Sequence, residues 1–427
     1  MKLQYIVSII VAAIIISAAF YALVVYKPES DLINEDPIDP DDKPPVAVGN
    51  ESFVEAVNEF SLDIYKKIFE SSEENSFISA YSIFVALAMT YEGALGETAD
   101  EMQSVLSIQQ DNESFHNYMK GLYDLLNKED SDYSISTANA LWVQENFKLL
   151  SEYFSVIQDY YGGDATEVDF GNPSEAANII NQWVEDNTNG LIKDLIQETM
   201  ISPWTALILT NAIYFKGVWK VQFDPVNTTN RSFDVSTENS VLVETMKLVE
   251  TEDEFLYTED EQVQVLELPY TGDDLSMVIV LPKEDDLSSV IASVNADQIE
   301  NWKNAMVETN VDIYLPKFTV ETSYGLNDYL KDLGMNLPFT SAADFSGITG
   351  NKDLYIDGVV HKAYIDVNEE GTEAAAATAV LMAFTSNGHH EEPQRIIFDC
   401  NHPFIYLIQH KQTGTILFMG SVLDPSA

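Results

Sequence analysis

Two pairs of residues have types and spacing that could support chemistry. Cys400 and His402 are two residues apart and would share one face of a strand, as a Cys–His nucleophile requires. No orienting third group lies nearby, and the apolar residues 396–398 predict instead that Cys400 is a buried, unreactive thiol. His389 and His390 could bind a metal, but they lack spaced partner ligands, so a polar loop tip is the better interpretation.

The sequence carries none of the common catalytic motifs. It has no Gly-x-Ser-x-Gly elbow, no phosphate loop and no His-Glu-x-x-His zinc motif. Acidic pairs are so frequent in this chain that they indicate nothing specific. We therefore expect that the protein is not an enzyme and that it needs no cofactor and no metal.

A run of small side chains is the most informative segment. Residues 369–380 read Glu-Glu-Gly-Thr-Glu-Ala-Ala-Ala-Ala-Thr-Ala-Val, and no charged residue occurs at positions 374–384. Local composition alone favours a helix, because alanine has the highest helix propensity. As a strand, the run would present only small or apolar side chains on both faces after Glu373. Such a strand could enter the middle of an existing sheet without burying charge.

The surroundings of this run favour the strand. Residues 359–368 lead directly into it, and six further blocks occur in order along the chain, at residues 75–98, 173–195, 209–225, 266–282, 315–318 and 402–420. Together these blocks, over residues 51–424, closely resemble the serpin family of suicide-substrate protease inhibitors. The resemblance implies an α+β serpin fold with a large central mixed β-sheet, smaller sheets, about nine helices and an exposed reactive-centre loop.

The resemblance implies a mechanical function. The loop would serve as bait for a serine or cysteine protease, whose attack forms an acyl-enzyme. The cleaved loop would then insert into the central sheet and distort the attached protease. The alternative is a non-inhibitory serpin that acts as a binding protein or as a protease-cleavage sensor.

The resemblance also assigns site residues. The hinge comprises Glu369, Gly371, Thr372, Ala374, Ala376 and Thr378. Counting from the hinge glycine places the reactive bond at Thr385–Ser386, with Phe384–Thr385 as second choice. Thr385 suits an elastase-like or subtilisin-like target, whereas Phe384 suits a chymotrypsin-like one.

Two further groups follow from the resemblance. The polar residues under the centre of the sheet, where it must open, are Ser79, Ser82, Asn181 and His361. The region where the loop first enters the sheet is formed by Trp219, Lys317 and Glu369. We expect Lys317 and Glu369 to form an ion pair there.

The N-terminal part of the chain differs in composition from the rest. Residues 5–26 form an apolar segment that is long enough to cross a bilayer, so we expect residues 1–26 to be a membrane anchor; a cleaved secretion signal is the alternative. Residues 27–50 are rich in Pro, Asp and Glu and predict an extended tether. The serpin domain, residues 51–427, would lie outside the cytoplasm.

The formal net charge of the chain is −49, from 70 acidic and 21 basic residues among 427. Such a chain should bind neither nucleic acid nor a polyanionic cofactor. Two explanations of this charge remain open. One is solubility, and the other is life in high salt, where ions screen the self-repulsion of an acidic domain. The expected partners are therefore the target protease and, through the N-terminal segment, a membrane.

Overall fold

A computed structural model of the protein describes residues 51–108, 112–127, 133–284, 286–372 and 395–427. These residues form helices and three sheets. The helices are α1 (Glu51–Glu70), α2 (Ala80–Tyr91), α3 (Glu97–Val105), α4 (Asn112–Leu126), α5 (Ser151–Val156), α6 (Pro173–Asn187), α7 (Leu287–Ser293), α8 (Ala296–Ala305), α9 (Asn327–Asp332) and α10 (Ser346–Thr349). Three short 3₁₀ turns (Glu198–Met200, Pro225–Asn227, Leu337–Phe339) and one π-helical turn (Ile157–Tyr161) complete the helical structure of the described residues.

The strands partly alternate with the helices, and six of them, over residues 207–282, follow one another without an intervening α-helix. They are β1 (Ser76–Ile78), β2 (Tyr133–Gln144), β3 (Asp164–Val168), β4 (Leu207–Val218), β5 (Thr229–Ser236), β6 (Asn239–Leu248), β7 (Phe255–Glu259), β8 (Val263–Pro269), β9 (Leu275–Pro282), β10 (Val307–Thr309), β11 (Val311–Pro316), β12 (Phe318–Gly325), β13 (Ile356–Val367), β14 (Gly371–Thr372), β15 (Ile396–Asp399), β16 (Phe404–His410) and β17 (Ile416–Val422).

The central sheet is mixed and has the strand order β12-β13-β14-β4-β2-β3. Its three longest strands, β2, β4 and β13, have twelve residues each. β4 runs antiparallel to β2 and parallel to β13. A second sheet of seven strands, in the order β1-β17-β16-β9-β8-β7-β10, and a third of four strands, in the order β15-β11-β6-β5, complete the sheet structure of the described residues. The predicted α+β architecture is confirmed.

The two larger sheets share one apolar core. Phe215 of β4 lies 5.7 Å from Phe418 of β17, measured between ring centroids, and Phe77 of β1 stacks on Phe418 at 5.4 Å. All three rings are almost completely buried. The inner face of the central sheet is therefore fixed against the seven-stranded sheet by aromatic contacts.

The helices follow the apolar periodicity of their sequences. In α1, Phe53, Val57, Phe60, Ile64 and Ile68 recur at intervals of three or four residues and are all buried, as expected of an amphipathic helix on a core. Eleven residues of α2 are buried, so this helix lies inside the core rather than on it.

The opposite face of the central sheet is covered by α6. Trp142 of β2 packs edge-on against Trp183 of α6, with ring centroids 5.5 Å apart. Ile180 and Val184 of α6 join a buried cluster that includes Ile208 of β4. The central sheet thus has a helix-covered outer face and an inner face that contacts α2 and the core.

The predicted membrane anchorage needs correction. No helix in the described part of the chain is long and apolar enough to cross a membrane. This finding contradicts the prediction of a single-pass protein, and the membrane is removed from its partners. The segment at residues 5–26 on which the prediction depended, like the predicted tether, lies outside the described residues.

Candidate functional site: the hinge and the opening of the central sheet

The residues that precede the small-residue run form a tight turn at one end of the central sheet. The backbone N–H of Asn368 donates to the carbonyl of Gly371 over 2.9 Å, and the N–H of Gly371 donates back over 3.3 Å. The chain thereby reverses after β13 and returns antiparallel to it as β14.

Trp219 holds this turn from the neighbouring strand. Its backbone N–H donates to the carbonyl of Glu370 over 2.9 Å, and its indole Nε1–H donates to the carbonyl of Asn368 over 3.0 Å. The N–H of Phe223 donates to the carbonyl of Glu369 over 3.0 Å. Three consecutive carbonyls of the turn are thus paired with the segment that follows β4.

Glu369 forms the charged part of this site. Lys317 Nζ lies 3.2 Å from Glu369 Oε2, and Thr228 Oγ1 donates to Glu369 Oε1 over 2.7 Å. Burial opposes the ionisation of Glu369, but the hydrogen bonds and the ion pair outweigh it and lower its pKa. Burial also opposes the charge of Lys317, but Glu369 and Glu244 together outweigh it and raise the pKa of that ammonium. The structure thus brings Trp219, Lys317 and Glu369 together around the turn.

Gly371 and Thr372 form a strand between β13 and β4. Thr372 pairs with Val367 on one side and with Gly217 on the other. The side chain of Thr372 is completely buried. Gly371 lies so close to β4 that a Cβ atom would stand 2.1 Å from the carbonyl oxygen of Gly217, so no larger residue fits there without a shift of the backbone.

In the part of the chain that the structure describes, β13 and β4 are separated at this end of the sheet. Residues 356–364 of β13 pair directly with residues 207–214 of β4 in parallel register. The two strands separate beyond Tyr364 and Tyr214, and β14 occupies the gap. The remaining predicted hinge residues, Ala374, Ala376 and Thr378, and the predicted reactive bond at Phe384, Thr385 and Ser386, lie outside the described residues.

A buried polar network lies where β13 and β4 are still joined. His361 of β13 contacts Asn211 of β4 through Nδ1 and Asn211 Oδ1, and these two residues are register partners. The Asn211 amide donates to Asn139 Oδ1 of β2 and to Ser82 Oγ of α2. Three strands and the buried helix are therefore joined through side chains.

Ser79 attaches the N-terminus of α2 to the same network. Its backbone N–H donates to His361 Nε2 over 3.1 Å, and its hydroxyl donates to the carbonyl of Leu417 over 2.8 Å. Ser79 Oγ also accepts from the backbone N–H of Ser82 and so caps the helix. Ser82 Oγ donates to Asn139 Oδ1 over 2.9 Å.

His361 is neutral in this network. Burial lowers its pKa to about 3, against a smaller opposite effect of its hydrogen bond to Asn211. Its Nε2 accepts from a backbone N–H, so the ring proton lies on Nδ1 and is directed at Asn211. Protonation would place a second proton on Nε2, against the N–H of Ser79.

Asn181 does not belong to this network, so its assignment is wrong. It lies on α6, on the outer face of the sheet, where its Nδ2 donates to the carbonyl of Ile196 and its Oδ1 accepts from the N–H of Ile196, both over 2.8 Å. Alternation along β4 directs Ala212 toward the cluster under α6 and Asn211 toward α2.

Asn139 and Asn211 are the members that the sequence prediction missed. Asn211 stands in a strand whose other residues from 207 to 215 are, except for Thr210, apolar or aromatic. A buried amide in such a run needs partners, and this requirement was the available signal.

Cys400 and His402 do not form a nucleophilic pair. Cys400 is buried, and burial raises the pKa of its thiol well above the usual value. His402 Nε2 lies 2.7 Å from the carbonyl of Pro282, and its Nδ1 lies 2.8 Å from Asn401 Oδ1. The prediction of a buried cysteine is confirmed.

Comparison with known proteins identifies the family. Residues 55–425 match the family model described as Serpin (serine protease inhibitor). A serpin-like protein of Thermococcus kodakarensis is 44% identical over 374 residues, which cover 87% of this chain and 85% of that protein.

Solved structures agree. Serpin48 of the insect Tenebrio molitor superposes with a TM-score of 0.78 at 33% identity, over 88% of this chain and 99% of that one. Human thyroxine-binding globulin in complex with thyroxine superposes with a TM-score of 0.79 at 29% identity, over 87% and 98% of the two chains. The protein has the serpin fold, and the chain belongs to the serpin family.

The neutral state of His361 predicts a loss of stability in acid. Because its pKa falls from 6.5 to about 3 on folding, the unfolded chain binds more protons between these values. The contribution is complete above pH 6.5 and decreases as the pH falls toward 3. At about 1.4 kcal/mol per pKa unit, the full loss is on the order of 4–5 kcal/mol.

Urea unfolding measured from pH 7 to pH 4 checks this prediction. The His361→Asn variant should be less stable at pH 7 and should show a flatter pH dependence than the wild type. The matched control His402→Gln, which removes a histidine away from the sheet opening, should keep the wild-type slope. Parallel curves for wild type and His361→Asn would contradict the prediction.

Proposed function

We propose that this protein is a suicide-substrate inhibitor of serine proteases. The observation that carries the proposal is the position of Thr372, which is buried between β13 and β4 at the start of the small-residue run. A strand that continued from this point would follow the same gap and separate the same two strands.

The composition of the run suits that path. Ala374, Ala376 and Thr378 alternate with their neighbours in phase with Thr372, so in a strand they would share its buried face. Small uncharged side chains cost little to bury, whereas an unpaired charge there would cost several kcal/mol. The segment can therefore be added to the sheet once cleavage frees one end.

The protein's part in the reaction is mechanical. The protease supplies the nucleophile and forms an acyl-enzyme with the residue before the cleaved bond. Continued insertion then has to separate residues 356–364 of β13 from β4, and it has to break the contact between His361 and Asn211. Both asparagine amides and both serine hydroxyls of the network offer alternative partners for the groups that are released.

The first test is formation of a covalent complex. Full-length protein is incubated with subtilisin, an elastase and chymotrypsin, and the products are separated under denaturing conditions. We expect with at least one protease a band whose mass is the sum of the protease and the large inhibitor fragment. Clean cleavage by all three without an adduct would contradict inhibition of these protease classes.

Thr372→Arg should convert the inhibitor into a substrate. An arginine at this completely buried position leaves an unpaired guanidinium under the sheet, so insertion stalls while the loop remains cleavable. The stoichiometry of inhibition should rise at least about ten-fold, since a factor of ten corresponds to about 1.4 kcal/mol in partitioning. Thr319→Arg, at an exposed position of the edge strand β12, is the control and should behave as the wild type. Stable adducts of Thr372→Arg at wild-type stoichiometry would mean that the hinge is wrongly assigned.

The position of the cleaved bond determines the class of target. The thirteen residues from Thr372 to Phe384 span about 43 Å at ~3.3 Å per residue, which is the length of a complete strand of a large sheet. We therefore expect cleavage at Thr385–Ser386. Mass spectrometry of the released C-terminal fragment should show Ser386 as its first residue; Thr385 would indicate a chymotrypsin-like target. A fragment that begins beyond Gly388 would contradict the proposed length of the inserted strand.

A non-inhibitory binding protein is the second candidate function. It is favoured by one comparison, because the fold superposes on thyroxine-binding globulin as well as on Serpin48. The adduct experiment separates the two candidates. The cleavage-sensor alternative depended on a membrane-anchored tether and is not pursued.

A further inference from the structure

Tyr270 reaches the hinge from a different sheet. It follows β8 of the seven-stranded sheet and is completely buried. Its ring stacks on Trp219 with centroids 4.6 Å apart and an interplanar angle of 11°, and it meets Phe215 edge-on at 5.0 Å. Two aromatic neighbours thus fix the direction of its hydroxyl.

That hydroxyl is directed at the hinge threonine. Tyr270 OH lies 2.8 Å from Thr372 Oγ1. Among the described residues, neither hydroxyl makes a second hydrogen bond, so each is the other's side-chain partner. Burial raises the pKa of Tyr270, which therefore remains a neutral phenol able to donate or accept.

The space around this hydrogen bond is shaped by glycine. A Cβ on Gly217 would stand 2.8 Å from Tyr270 Cδ1 and 2.7 Å from Phe215 Cζ, so the ring of Tyr270 fills the volume that a side chain would occupy. Gly371 in turn lies against the carbonyl oxygen of Gly217. The site is therefore complementary to a glycine followed by a small hydroxyl residue.

We propose that Tyr270 is a positioning residue that holds Gly371 and Thr372 inserted in the central sheet before any protease binds. This proposal adds a residue to the proposed inhibitory function. Its expected effect on inhibition rests on that function. The first step of insertion, in which β13 and β4 separate, has then already taken place in the uncleaved protein. After cleavage the loop only extends an existing strand, and insertion competes well with deacylation.

The hydrogen bond makes a double-mutant cycle informative. Tyr270→Phe leaves Thr372 Oγ1 buried without a partner, and Thr372→Val leaves Tyr270 OH in the same condition. The double variant removes both polar groups and leaves neither unsatisfied, so its effect should be smaller than the sum of the two single effects.

Hydrogen exchange of the free, full-length protein measures insertion directly. Removal of β14 would free the amides of Trp219 and Phe223 as well as β14 itself, since both donate to carbonyls of the turn. We expect Tyr270→Phe and Thr372→Val each to raise exchange about ten-fold in peptides that cover residues 217–223 and 367–372. The double variant should return toward the wild type.

Tyr406→Phe is the matched control. Tyr406 is equally buried, and its hydroxyl has no hydrogen-bond partner among the described residues, so its removal breaks no such bond. Its exchange at residues 217–223 and 367–372 should equal that of the wild type. Unchanged exchange in Tyr270→Phe, or single effects that simply add in the double variant, would overturn the proposal.

The stoichiometry of inhibition gives the functional readout. Tyr270→Phe should raise the number of inhibitor molecules consumed per protease, and the double variant should restore it in part. If the wild type forms no adduct, the proposed function fails, yet the exchange measurements still decide whether Tyr270 holds the hinge. If adducts form but Tyr270→Phe changes neither exchange nor stoichiometry, the inhibitory function stands and the role of Tyr270 is overturned.

Discussion

The parallel pairing of β4 with β13 is the interaction on which the rest of this structure depends. These strands are neighbours along residues 207–214 and 356–364, yet they also accept β14 between them at one end. In the proposed mechanism the two strands separate further, so the same pair would have two arrangements. The aromatic contacts of Phe215 and the cluster under α6 pack both faces of β4.

The buried network at His361 limits how far the opening extends. It lies on the paired part of the two strands, and it ties them to β2 and to the N-terminus of α2. The side chains of Ser79, Ser82, Asn211 and His361 are each hydrogen-bonded within it or to backbone, so the closed arrangement costs little in unpaired polar atoms. The same groups could exchange partners if β13 moved away, because hydroxyls and amides both donate and accept.

Most of the fold and part of the site could be predicted from the sequence. The small-residue run, the ion pair of Lys317 with Glu369 and the burial of Cys400 follow from local composition or from family blocks. The error at Asn181 has a different cause. Asn181 lies on α6, and which face of the central sheet a helix covers depends on contacts between segments far apart in the chain, which local sequence does not encode. The role of Tyr270 could not be foreseen either, because it depends on a contact between two sheets.

The segment after Glu373 carries fewer charged residues than the rest of the chain. Charged residues make up 21% of the sequence, so a segment of thirteen residues would be expected to carry two or three of them by proportion. Positions 374–386 carry none. In the proposed mechanism this neutrality follows from the path of the segment, because the gap that Thr372 already occupies can be extended at low cost only by residues without a charge to bury.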